Sequence, residues 1–379
     1  MSPARPPEGA RTAARSAEVV QCPVGLNALV QAVQTNCDIA DARHAADLSL
    51  CIYLLQMREF HRWEQGLAYT AELDRVAVGE WIARRERHWS QIEHRAWLPL
   101  PIAGREFDAH DVEGVNAQLV PLGLIYGAGL AAPGRPTCFL ATLHEVRRRD
   151  DGLTLQVCGR EQARGLFAPP AALVGGATIV LRREALARWL WERFETFSVR
   201  RADGPMKALL DAYALHDKGS FAAALPRLVD DLCEPLVLHE IGEYRAGQSL
   251  EPGWAAMRLA LDQRRTDLRV RAVRDHIADL EVTLPALLAS DRAAALHFWF
   301  ANYEGVSEQL FPSLATAYAA WRRGDAGHAL RVATQAGAAH FRSLAGQILA
   351  LHQTDGPGAT LAIEQLLAAQ GSVCAMRIE

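Results

Sequence analysis

The sequence predicts a mainly helical protein: a helical bundle-like core carrying one small inserted β-rich module, α+β overall. Three observations carry this expectation. Apolar residues recur at the 3.6-residue helical period from Asp41 to Trp97 and again from Glu184 onward. Residues 112–181, between those stretches, are dense in Gly and Pro. Within that dense part, Thr137–Val146 and Leu153–Val157, joined across Arg147–Gly152, have the form of a β-hairpin. The organisation that follows is a disordered tail over 1–20, an N-terminal helical domain over 21–205 with the β-rich insertion at about 105–182, and a C-terminal helical domain over 206–379.

The elements are justified in chain order. Residues 1–20 are rich in Ala, Arg and Pro and lack the apolar run of a secretory signal. A first helix is expected over Gly25–Gln34, ended by Asn36-Cys37-Asp38, residues that compete locally for backbone groups. One long helix then covers Asp41–Gln65, with Gly66 as its stop. Val78–Trp97 is a third, with Trp81, Trp89 and Trp97 spaced along one face and Pro99 and Pro101 ending it. In the insertion, Leu119–Tyr126 and Ala177–Leu181 are further strand candidates beside the hairpin. Helices then follow over Glu184–Phe197, Met206–His216, Phe221–Glu234, Pro235–Ala246, Trp254–Arg264, Leu268–Leu288, Asp291–Tyr303, Leu314–Arg323, Gly327–Gln353 with a break, and Ala359–Ala369. Pro235 suits the first turn of a new helix. The pattern Ala212-Tyr-Ala214, Gly219, Ala224-Leu225 echoes at Ala317-Tyr-Ala319, Gly324, Ala329-Leu330; two distant copies make no array and read as unrelated tight helical turns.

The expected helix Asp41–Gln65 organises the reading. His44, Leu48, Cys51, Leu55, Arg58, Glu59 and Arg62 share one of its faces, and Ile52, Tyr53 and Trp63 lie around the rest. A helix apolar nearly all round is buried, and buried charge requires a partner or a ligand. Arg58 and Glu59 are therefore each expected to pair with an opposite charge from another helix, and Cys51 and Cys233 to be buried and unreactive.

Composition excludes some functions. Half the residues are hydrophobic and net charge is −4, which argues against non-specific nucleic-acid binding. The seven Cys are odd in number and form no Cys-x-x-Cys pair, as expected of reduced thiols in a cytoplasmic protein without a zinc ribbon or iron–sulfur cluster. The longest uncharged run, near Leu119–Ala132, is too short and too rich in Gly and Pro to span a bilayer, so no membrane partner is expected. The partner is a small molecule or protein of unknown identity.

Three pairs of metal-ligand type stand out. His44 follows Asp41 by three residues, and Asp41 reads as an N-terminal helix cap. His239 and Glu243, in His239-Glu-Ile-Gly-Glu243, lie one turn apart; this geometry holds a metal in His-Glu-x-x-His, but the second His is here Glu, so the zinc-protease reading fails. His297 and Glu304 lie two turns apart among Trp299, Phe300 and Tyr303. Each pair has a structural alternative, a hydrogen-bonded pair in a core. Glu192 and Glu195 read as solvated charges, and the basic run Arg258–Arg274 as a solvated face with Asp262, Asp267 and Asp275 as local partners. Gly127-Ala-Gly129-Leu-Ala-Ala132 mimics a dinucleotide fingerprint, but the prolines after it forbid the required helix.

The segments Asn36-Cys37, Asp41-Ala-Arg-His44-Ala, Met57–Glu64, HEIGE and Phe298–Glu304 together resemble a bacterial two-part family that carries no assigned activity; the resemblance covers most of the chain. A fainter similarity, in residue types only, links the His and carboxylate helices to ferritin-like metal proteins, whose two Glu-x-x-His signatures are missing here. The leading expectation is a non-haem metal-binding helical protein, an oxidoreductase in its sharper form. Iron or manganese would be held by His44, Glu59, His239, Glu243, His297 and Glu304 converging at one site. The alternatives are a non-catalytic helical scaffold with structural His–Glu pairs, and a metal-free enzyme with Glu59 or Glu243 as general base.

Overall fold

A computed structural model describes residues 25–131, 135–290 and 292–373. The tail expected over 1–20 lies outside the described residues.

The N-terminal half begins with α1 (Leu26–His44), a 3₁₀ turn at Ala45–Asp47, α2 (Leu50–Glu64) and α3 (Arg75–Ile92). The expected breaks are therefore misplaced. α1 runs straight through Asn36-Cys37-Asp38, because tertiary partners take up the groups that read locally as caps. Asn36 donates to the Leu98 carbonyl at 2.9 Å and accepts its N–H at 2.7 Å, Cys37 Sγ donates to the Cys138 carbonyl, and Asp38 pairs with Arg85 at 2.8 Å. The long helix expected from Asp41 is cut instead at Ala45–Ser49, so His44 and Glu59 belong to different helices. Asp41 is no N-cap: it is buried near the end of α1 and accepts the Leu166 N–H at 2.9 Å. Cys51 opens α2 and is exposed, and Cys233 is half-buried, against the expectation for both.

A two-residue hairpin joins β1 (Leu100–Ile102) and β2 (Arg105–Phe107), with Ala103 and Gly104 both at positive φ, as the twist of such a turn requires. Next come α4 (Val112–Leu119) and a five-stranded sheet of β3 (Leu124–Ala131), β4 (Arg135–Arg148), β5 (Thr154–Arg164), β6 (Ala171–Val174) and β7 (Thr178–Arg182). The strand order is β3-β4-β5-β7-β6; β5 and β7 pair in parallel and the other neighbours antiparallel. The expected hairpin is β4–β5. Gly127 and Gly129 lie within β3, which bears out the rejection of the dinucleotide fingerprint.

The rest is helical: α5 (Arg183–Arg200), α6 (Pro205–Ala212), α7 (Lys218–Leu250), α8 (Gly253–Ala260), α9 (Arg264–Ala278), α10 (Leu284–Ala289), α11 (Ala293–Ala301), α12 (Val306–Leu310), α13 (Pro312–Arg322), α14 (His328–Asp355) and α15 (Thr360–Val373). The structure is mainly α with a small sheet, as the sequence predicts. α7 merges two expected helices and carries both Pro226 and Pro235 in its interior. Proline removes one ladder bond, but α7 packs on α5 through Leu228 and Leu232 and on the sheet and α9 through Ile241, and this burial holds the helix across the gap. α14 has no break. The two echoing turns differ: Gly324 takes a left-handed conformation after α13, whereas Gly219 lies inside the first turn of α7, where Asp217 caps its N–H. Among the described residues no helix is long and apolar enough to cross a membrane.

The cores show how the halves join. Val33 and Cys37 of α1 pack on Leu140 and Ala163 of the sheet, and the largest cluster fills the C-terminal helices around Trp254 and Phe341. Between them, Leu155, Val157, Ile179 and Leu181 of the sheet meet Ile241 of α7. HEIGE thus sits where the sheet meets the helices.

Candidate metal centre

Gly242 determines how closely α7 and α9 approach. A Cβ built there lies 2.5 Å from the Ala278 carbonyl oxygen and 2.7 Å from its Cα, so only glycine fits. This contact sets His239 and Glu243, one turn apart on α7, against Asp275 of α9 and Asp279, one turn on, just past its end. The helix leaves its regular path at this point, through a π-helical turn at Asp279–Thr283. Such bulges recur at functional sites, because they re-aim side chains.

One donor atom each from His239, Glu243 and Asp275 lie within 4.8 Å of one another, and this is the one such group of three or more His, Cys, Asp or Glu among the described residues. Asp279 Oδ1 stands 3.0 Å from His239 Nδ1 and accepts the Trp299 Nε1–H at 3.1 Å. Arg274 Nε lies 2.9 Å from Glu243 Oε2, and its Nη1 is 3.1 Å from Glu251. All of these groups except the exposed Glu251 are half-buried.

The electrostatics follow from burial and from like charges. Burial, then the facing Glu243, pushes the Asp275 carboxyl up to about 8. Burial opposes a charge on His239, but the carboxylates, Asp279 first, outweigh it and hold the imidazole well above its ordinary value. Burial also opposes ionisation of Asp279, and the His239 charge and hydrogen bonds still hold it below the usual carboxylate range. The cluster is thus a His239–Asp279 ion pair beside Asp275, whose carboxyl is raised and faces Glu243.

The cluster opens into a cleft of about 840 Å³ between β3, β6 and β7 on one side and α7 and α9 on the other. A second cavity of about 300 Å³, walled by Trp299, Tyr303 and Phe298, meets the first at His239 and Ser307.

Of the six residues expected to converge, the structure brings together His239 and Glu243. Glu304 lines the same cleft, but it is exposed and pairs with Arg193 at 2.6 Å. His44 ends α1, with Asp47 at 3.4 Å. Glu59 is buried in α2 between Arg58 and Arg62, at 2.9 and 3.1 Å. His297 meets the Tyr318 hydroxyl at 2.8 Å, and burial, then Arg322, lowers its pKa to about 4. These four have local partners, and the three donors come from two helices, not from four as in a bundle-core site.

Asp275 and Asp279 were missed. Asp267 takes the role expected of the whole acidic set, pairing with Arg258 at 2.8 Å and Arg271 at 3.7 Å, while Asp275 turns inward. The available signal was their i, i+4 spacing, which matches that of His239 and Glu243. Glu195 is not a solvated charge either: it receives Arg58, and Glu192 is half-buried beside Arg188 at 3.6 Å.

Comparison with known proteins adds two matches, both to family models. Residues 28–182 match the model described as the N-terminal domain of a family of unknown function (DUF6866), and residues 187–370 match that family's C-terminal domain. No curated protein and no solved structure matches. Through both domains, the chain belongs to the DUF6866 family.

Proposed function

We propose that this member of the DUF6866 family is a metal-binding protein whose ion is held by His239, Glu243 and Asp275. The observation that carries the reading is the convergence of these three donors, from two helices, at the head of a cleft. Asp279 is the positioning residue. It takes the Nδ1 side of His239, fixing the ring and leaving Nε2 to accept a cation, as ligating imidazoles are commonly held. Glu243 facing Asp275 raises the Asp275 carboxyl, and a divalent cation between them would relieve that like-charge repulsion. One imidazole with two carboxylates suits iron or manganese. Three protein donors leave coordination positions for a substrate, and the adjoining aromatic cavity supplies space for an apolar one. On this basis the sharper reading is a non-haem oxidoreductase.

One observation favours a rival reading: His239, His297, Glu59 and Glu304 all have partners within the protein. That suits a helical scaffold with structural pairs.

Metal titration separates the two. The full chain is stripped with chelator, then titrated with Mn²⁺ or, without oxygen, Fe²⁺. Binding near one ion per chain is expected, weakened about tenfold or more in His239→Ala, Glu243→Gln and Asp275→Asn. Glu304→Gln should bind as wild type does. Absence of saturable binding by wild type, or equal binding by all variants, would remove the metal reading.

A further inference from the structure

The metal centre leaves unused the segment that dominates the N-terminal sequence, Met57–Glu64. It walls a separate cavity of about 640 Å³ between α2, α5 and the end of β5. Most charges around this cavity are matched. Glu59 holds Arg58 and Arg62, Glu161 holds Arg182 at 2.6 Å, Glu64 receives Arg85, and Arg188 lies 3.6 Å from Glu192.

Arg164 is the exception. Arg62, Arg164 and Arg182 are the deeply buried arginines among the described residues, at 5%, 2% and 3% exposure. Arg62 and Arg182 each have a carboxylate within 3.1 Å. Among the described residues no ion pair within 4.0 Å reaches Arg164, and its Nε has no hydrogen-bond partner. Its guanidinium lies 5.1 Å from the Phe60 ring and 4.8 Å from Trp63, and it reaches the Glu59 carbonyl at a long 3.5 Å. Ring faces and one weak hydrogen bond do not replace a counter-ion for a guanidinium that stays protonated.

We propose that this cavity is a binding site for an anionic small molecule, which places a carboxylate or phosphate on Arg164 and its apolar body against Trp63, Leu67 and Ala187. Arginine's planar fork is suited to either group. The volume is that of a small-molecule pocket. Glu184, the lining glutamate without an arginine partner, accepts the Glu161 N–H at 2.8 Å, and burial pushes its carboxyl up. Arg160, exposed at the rim, adds attraction.

The test compares anionic probes with a neutral one on the full chain at matched ionic strength: benzoate, phenyl phosphate and inorganic phosphate against benzamide, which is close to benzoate in shape. Benzoate or phenyl phosphate should bind saturably by calorimetry and raise the thermal midpoint, and benzamide should not. The stronger of the two identifies carboxylate or phosphate as the group read. Arg164→Met should weaken that binding at least about tenfold, the loss of a charged hydrogen-bond partner. Chelator and His239→Ala should leave it unchanged, which keeps this site distinct from the metal centre. The proposal is overturned if benzamide binds as well as benzoate, if no anion binds beyond the effect of matched chloride, or if Arg164→Met binds normally. Should Arg164→Met not fold, the benzoate and benzamide pair on wild type decides, since those probes share a ring and size and only benzoate carries a negative charge.

Discussion

Gly242→Ala tests how the cleft is built. The added methyl would lie 2.5 Å from the Ala278 carbonyl oxygen, 2.7 Å from its Cα and 2.8 Å from its carbonyl carbon. Non-bonded carbons rest at about 3.5–4.0 Å, so the methyl overlaps a helix backbone by roughly 1 Å. No rotamer relieves this, because alanine has none and the obstacle is main chain. Two effects oppose each other. Alanine favours a helix over glycine by about 1 kcal/mol. Overpacking costs about 1–3 kcal/mol, and a backbone obstacle belongs at the top of that range. The net expectation is a loss of about 2 kcal/mol. Gly79 of α3 is the control: exposed, helical, and with nothing within 4 Å of a built Cβ. There the same substitution should stabilise by up to about 1 kcal/mol. Urea denaturation followed by circular dichroism gives both midpoints, compared at unchanged slope. Parting α7 from α9 also separates His239 and Glu243 from Asp275, so Mn²⁺ affinity should fall in Gly242→Ala and not in Gly79→Ala. A Gly242→Ala midpoint equal to wild type would refute the close approach on which the cleft depends.

Two further outcomes are expected. Arg62→Met strands Glu59, which is 2% exposed and keeps only the half-buried Arg58; a loss of about 3–5 kcal/mol in chemical denaturation is expected, and a loss below about 1 kcal/mol would show that the pair is not structural. The metal-free protein should lose stability as pH rises from 6.5 to 8. Asp275, with its folded pKa raised to about 8, holds a proton that the unfolded chain has released, so the fold binds more protons in this window. His239, also raised, acts in the same direction, whereas His276, lowered to about 4 by burial, acts oppositely only between about 4 and 6.5. Asp275→Asn should flatten the slope between 6.5 and 8, and an unchanged slope in that variant would contradict the assignment.

What the sequence made legible follows from the range of the interactions involved. Helices governed by apolar period, such as α5 and α13, and the β4–β5 hairpin, governed by strand pattern and a turn, lie close to where the residues place them. Boundaries governed by distant partners do not. Asn36 and Asp38 read as helix enders, because nothing local shows that Leu98 and Arg85 will take up their polar groups. Pro235 reads as a helix start, because nothing local shows that α5, α9 and the sheet will hold α7 through it.

The candidate site divides in the same way. Burial of His44, Glu59, His239, Glu243, His297 and Glu304 on apolar faces argued for one shared cation, on the ground that separate burial costs more. The flaw is that burial cost depends on local neutralisation, not on the number of charged groups. Arg58 and Arg62 neutralise Glu59 within its own helix, the Tyr318 hydroxyl meets His297 at 2.8 Å, and Glu304 stays in solvent beside Arg193. The argument holds only where neutralisation is incomplete. At Glu243 and Asp275 two carboxyls face each other, and burial with that facing charge pushes the Asp275 carboxyl up to about 8. At Arg164 a buried cation has no carboxylate partner among the described residues. These two places, one where Asp275 faces a like charge and one where Arg164 lacks an opposite one, are where a cation and an anion have most to gain by binding.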